Sequence, residues 1–118
     1  MSRGVLALLG FLCVVPAWGA GGTGESLLAW RHPGEVLVYR SCGCADACWV
    51  AEVRDRRSQR AKARLRCDCE VLHFERLAVA AAPVALGSCA ALNGSGDKAG
   101  AIGSALDDLL QGPGDAVE

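Results

Sequence analysis

The chain is 118 residues long, 52% hydrophobic but only 5% aromatic, with a formal net charge of −1. A balance this close to zero gives no bulk attraction for a polyanion, so no nucleic-acid partner is expected. A chain of this length makes one domain whose apolar core alone leaves it marginal, and its seven cysteines are available as cross-links.

At the N-terminus, Arg3 precedes an apolar run from Val5 to Val15, which Pro16 breaks. Ala17-Trp18-Gly19 then supplies small residues where a signal peptidase reads, so residues 1–20 are expected to be a cleaved signal peptide. The run is too short to cross a hydrocarbon core, which takes about 20 residues, and no later segment comes closer. The expected product is exported, periplasmic or secreted, with no stable membrane span after cleavage. Cys13 lies inside the apolar run and leaves with it, which reduces the cysteines to an even number.

Residues 21–34 read as a flexible Gly-rich segment ending in the turn signal His32-Pro33-Gly34. Glu35 to Ser41 is rich in β-branched and aromatic types and reads as a strand, with Cys42-Gly43-Cys44 at its end. Ala47–Asp55 and Lys62–Phe74 alternate apolar and polar residues with a period of two, the signature of half-buried strands. Arg56 to Arg60 is short enough to join them as a hairpin loop at a mobile tip. Pairing Trp49 with Cys67, Ala51 with Leu65 and Val53 with Ala63 gathers the apolar side chains on one face and sets Glu52 opposite Arg64 on the other. A slip by one residue would bury charge, so this register is expected.

From Leu77 to Leu92 the chain is apolar and small-residue-rich, with Pro83 speaking against a continuous helix and for short separate segments. Residues 93–97 read as a linker, and Asn93-Gly94-Ser95 matches the acceptor pattern for N-glycosylation. Between Lys98 and Gln111, the residues Ile102, Leu106, Leu109 and Leu110 share one helical face, although Gly100 and Gly103 each weaken a helix by about 1 kcal/mol. Gly112-Pro113-Gly114 ends it, and 112–118 is an acidic tail. The predicted fold is a small disulfide-rich antiparallel β structure, a three- to four-stranded meander over residues 35–92 with a short C-terminal amphipathic helix, α+β overall.

Six cysteines remain as disulfide candidates: Cys42, Cys44, Cys48, Cys67, Cys69 and Cys89. In an exported chain they read as scaffold rather than chemistry. The register sends Cys67 and Cys69 to the buried face and Cys48 to the other. A bond inside a C-x-C unit is strained. The expected pairing therefore joins Cys42 and Cys44 to Cys67 and Cys69, and Cys48 to Cys89. The runner-up uses of the same sulfurs are a four-thiolate zinc or copper site and a thiol-disulfide exchange site at Cys42-Gly43-Cys44, where Arg40 would lower a thiol pKa.

His32 and His73 stand in no recognisable motif with a serine or carboxylate, so no enzymatic activity and no cofactor are expected. Charge is distributed less evenly than its total implies. Arg54, Arg56, Arg57, Arg60, Lys62, Arg64 and Arg66 crowd residues 54–66 against the single acid Asp55. Within that run Arg56, Arg57, Arg60 and Lys62 are the candidates for binding an anionic envelope component, a headgroup or an acidic protein. The plain alternative is a solvated loop that protects a sheet edge. The leading expectation is a non-enzymatic exported binding domain.

Overall fold

The computed structural model describes residues 24–111. The expected leader at 1–20 and the tail at 112–118 lie outside them.

Six strands run in chain order: β1 (Glu25–Leu28), β2 (Glu35–Gly43), β3 (Cys48–Asp55), β4 (Ala61–Asp68), β5 (Val71–Arg76) and β6 (Val84–Ser88). Each pairs antiparallel with its neighbour in sequence, giving one meander in the order β1-β2-β3-β4-β5-β6. A one-turn helix α1 (Ala90–Asn93) and the longer α2 (Lys98–Gln111) follow.

The expected three to four strands are thus six, for local reasons. The alternating run from Lys62 to Phe74 is not one strand, because Cys69 turns into the left-handed region at φ 86°. Beside it the Asp68 carboxylate accepts the backbone N–H groups of Glu70 at 3.3 Å and Val71 at 2.8 Å, an Asx turn that reverses the chain. β1 lies inside the stretch read as Gly-rich and flexible. It is too short to show a period, yet it pairs with β2 through Leu28 opposite Leu37 and Glu25 opposite Arg40. β6 begins directly after Pro83, which is tolerated there because β6 is an edge strand.

The expected β3–β4 register is observed, with Trp49 opposite Cys67, Ala51 opposite Leu65, Val53 opposite Ala63 and Glu52 opposite Arg64. One face of the sheet therefore carries Leu37, Trp49, Ala51, Val53, Ala63, Leu65, Leu72 and Phe74. Ile102 and Leu106 of α2, with Cys89 before α1, close over them. Asp97 caps α2 by accepting the Gly100 N–H at 3.0 Å. Its carboxylate occupies the space a side chain at Gly100 would need, since a Cβ there would lie 2.2 Å from Asp97 Oδ2. Asn93 belongs to α1 rather than to a linker, and its amide points inward. The Trp49 indole N–H donates to Asn93 Oδ1 at 2.7 Å.

On the opposite face, charges are linked across the sheet. Arg54 binds Glu25 and Glu52, and Arg64 binds Glu52 and Glu75. Glu52, only 7% exposed, sits between two guanidinium groups. Burial pushes its carboxyl up, but the hydrogen bonds from Arg64 and Arg54 outweigh that and hold it below the ordinary value.

Candidate functional site

The six candidate cysteines form three disulfides: Cys42–Cys48, Cys44–Cys69 and Cys67–Cys89, with Cα separations of 4.9, 6.0 and 6.1 Å. Cys44–Cys69 joins the two C-x-C units as expected, whereas Cys48–Cys89 does not form and Cys42 does not reach the second unit. Two backbone features account for the difference. A register shift between Ser41 and Gly43 sets Gly43 opposite Cys48, which brings Cys42 beside Cys48. The turn at Cys69 takes that residue off the core face, leaving Cys67 alone there to meet Cys89, at 1% and 0% exposure. All the sulfurs that a thiolate metal site would require are engaged in these bonds. Among the described residues no group of three or more His, Cys, Asp or Glu side chains is arranged to hold a metal ion.

The loop between β2 and β3 adopts an uncommon backbone. Cys44, Ala45 and Asp46 have φ values of 54°, 53° and 72°, consecutive left-handed residues that each cost an L-amino acid roughly 1–2 kcal/mol. Cys42–Cys48 closes the loop at its base, and Cys44–Cys69 ties it to the β4–β5 turn. Asp46 is held as well. Tyr39 Oη donates to its Oδ1 at 2.7 Å, and Lys98 Nζ donates to its backbone oxygen at 2.6 Å and to Oδ2 at 3.1 Å. The Tyr39 and Lys98 hydrogen bonds keep the Asp46 carboxyl below its ordinary value. Burial, then the bond to Asp46, raises the Tyr39 phenol. Lys98 also lies over the rings of Tyr39 and Trp49, at 5.7 and 5.8 Å from their centroids.

At the other end of β3 the hairpin is built around Asp55. Its carboxylate accepts the backbone N–H groups of Arg57 at 3.1 Å and Ser58 at 2.8 Å. Its own N–H donates to the Arg60 oxygen at 2.9 Å, and its oxygen accepts the Gln59 N–H at 2.8 Å. Gln59 takes the left-handed position at φ 64°, and the Arg56 N–H donates to the Gly34 oxygen at 2.8 Å. These bonds define the backbone of the turn on which the expected basic tip stands. Hydrogen bonds from Ser58 and Arg57 hold the Asp55 carboxyl low.

The four basic candidates separate into two kinds. Arg56, Arg57 and Arg60 are exposed, and their guanidinium groups meet no carboxylate among the described residues. Lys62 instead binds Glu35 at the start of β2, and that hydrogen bond raises the ammonium pKa. Sequence gave no warning of this, because Glu35 is 27 residues away and reaches Lys62 only through the β2–β3–β4 stacking.

A further cluster escaped the sequence reading. Asp107 of α2, 7% exposed, accepts or pairs with His32 Nε2 at 2.7 Å, Arg31 Nη2 at 2.8 Å and Gln111 Nε2 at 2.7 Å. The His32, then Gln111, contacts pull its carboxyl down. Beside it runs a groove of about 410 Å³ lined by Trp30, Gly103, Ser104 and Asp108 among others. The cluster fastens the segment after β1 onto α2, and Asp107 has its oxygens engaged on both sides. Only the sequence distance of 75 residues between His32 and Asp107 hid it.

No helix among the described residues is long and apolar enough to cross a membrane. Comparison with family models, with curated proteins and with solved structures gives no match for this chain.

Proposed function

We propose that this chain is an exported, non-enzymatic, disulfide-stabilised domain that binds an anionic component of an envelope or extracellular surface through Arg56, Arg57 and Arg60. The contrast within one basic run carries the reading. Arg54, Lys62 and Arg64 are each engaged by glutamates, while the three arginines of the turn, like Arg66 on β4, meet no carboxylate among the described residues, and the turn's backbone is held by Asp55. Three guanidinium forks on a defined turn suit phosphate or carboxylate oxygens, which they bind bidentately. Export is supported by three disulfides in a small domain, a pattern of oxidising compartments.

The test is retention of the oxidised protein on a phosphate-bearing resin. With a net charge of −1, the molecule as a whole is not attracted, so retention at low salt and release at moderate salt report a local patch. The triple variant Arg56→Ser, Arg57→Ser, Arg60→Ser is expected to flow through with an unchanged melting temperature. Lys62→Ser is expected to stay bound. Equal retention of the triple variant and the parent rejects the reading.

A further inference from the structure

The twenty residues from Leu77 to Gly96 contain no Asp, Glu, Lys or Arg. β6 lies inside this stretch, pairs among the described residues with β5 alone and is exposed along its whole length. Five large hydrophobic side chains are exposed among the described residues, and four of them gather here: Val79 at 56%, Val84 at 51%, Leu86 at 39% and Val71 at 37%. A free strand edge offers unpaired N–H and C=O groups, and monomeric proteins usually blunt such an edge with charge. The opposite edge is blunted in this way, since β1 is four residues long and begins with Glu25, which binds Arg54. At β6 no charge guards the edge, and apolar side chains stand beside it.

We propose that β6 is a homodimer interface, pairing antiparallel with β6 of a second copy of this chain. The charge pattern selects that occupant. An uncharged edge brought against itself meets no like charge, and a net charge of −1 leaves little long-range repulsion between copies. The strand is also self-complementary in size. The register shift makes Leu86 the extra residue between Ala85, opposite His73, and Gly87, opposite Leu72 and at φ 96°, so the strand is regular at Val84 and Ala85. A two-fold axis through Ala85 sets Ala85 of each copy against its counterpart, with the small residue at the point of closest approach. Such an interface is isologous and closes at two copies, whereas β6 against β1 would propagate without end. The two sheets become one, with both helical layers on the same face.

Sedimentation of the purified, oxidised chain over a wide concentration range tests this. The expected result is a mass that doubles as concentration rises. Val84→Lys with Leu86→Lys is expected to stay at the monomer mass throughout, with the circular dichroism and melting temperature of the parent. Leu27→Lys, on the other edge, is expected to dimerise as the parent does. A parent that remains monomeric overturns the proposal, and so does a dimer that survives the double variant or is lost on changing Leu27. Should the double variant fail to fold, amide exchange of the parent decides instead. Protection that grows with concentration at those β6 amides that point away from β5 supports the interface, and exchange independent of concentration refutes it.

Discussion

Asn93 performs a task that its neighbours in sequence conceal. Trp49 is fully buried, and its indole N–H would have no acceptor in an apolar layer without Asn93 Oδ1 at 2.7 Å. The amide nitrogen of the same side chain is within 3.5 Å of the Ala47 oxygen and so faces the β2–β3 loop. Asn93→Ala removes the acceptor and leaves the indole unpaired, which costs about 1–3 kcal/mol. Chemical denaturation is expected to show that loss with an unchanged slope, and a variant as stable as the parent would mean that the indole is satisfied otherwise. The glycosylation pattern at Asn93-Gly94-Ser95 reads differently in this light. The nitrogen that would carry a glycan faces the Ala47 oxygen, so a glycan at this position would displace that contact.

Among the elements, the loop Cys42–Cys48 separates what a sequence can specify from what it cannot. The β3–β4 register was legible because each strand alternates strictly, and only one pairing keeps Trp49, Ala51 and Val53 with Cys67, Leu65 and Ala63 on one face. The cysteine pairing was not legible, because it depends on two departures from that alternation: the bulge before Gly43 and the left-handed Cys69. Neither residue pattern announces them. The same limit hid β1, whose four residues contain no period, and the Lys62–Glu35 and His32–Asp107 contacts, which join residues far apart in the chain. Burial then divides the three disulfides by reactivity. Exchange requires a thiolate to reach a sulfur, and Cys67–Cys89 lies in the core while Cys42 and Cys44 are exposed. Opening the outer two also frees Cys44, Ala45 and Asp46 from their left-handed conformation. A mild dithiol is therefore expected to reduce Cys42–Cys48 and Cys44–Cys69 first, as read by alkylation and peptide mapping. Alkylated Cys67 and Cys89 as the earliest products would contradict this order.

At the scale of the whole molecule, carboxylates link parts that the backbone does not. Glu52 and Glu25 tie strands together through Arg54 and Arg64, Glu35 binds Lys62, Asp46 fixes the β2–β3 loop, Asp68 shapes the β4–β5 turn, and Asp107 fastens the segment after β1 to α2. All of these carboxyls are held below their ordinary values, Asp68 at about 2, where backbone donation from Val71 and the bond to His73 are the leading causes. A group whose folded pKa is depressed releases its proton more readily in the folded than in the unfolded chain. Its contribution is complete above the unfolded value, 4.5 for glutamate and 3.8 for aspartate, and disappears as pH falls through the folded one. Stability measured by urea midpoint is thus expected to be level from neutral pH down to about 5 and then to decline steadily toward pH 2. Asp107→Asn keeps the shape of the side chain but removes one of the titrating groups. It is expected to be less stable than the parent at neutral pH, to approach it at the acid end and to show a shallower decline between. A parent curve that stays level to pH 2 would mean that these carboxylates are as well solvated unfolded as folded, and that the disulfides and the apolar face hold the sheet without them.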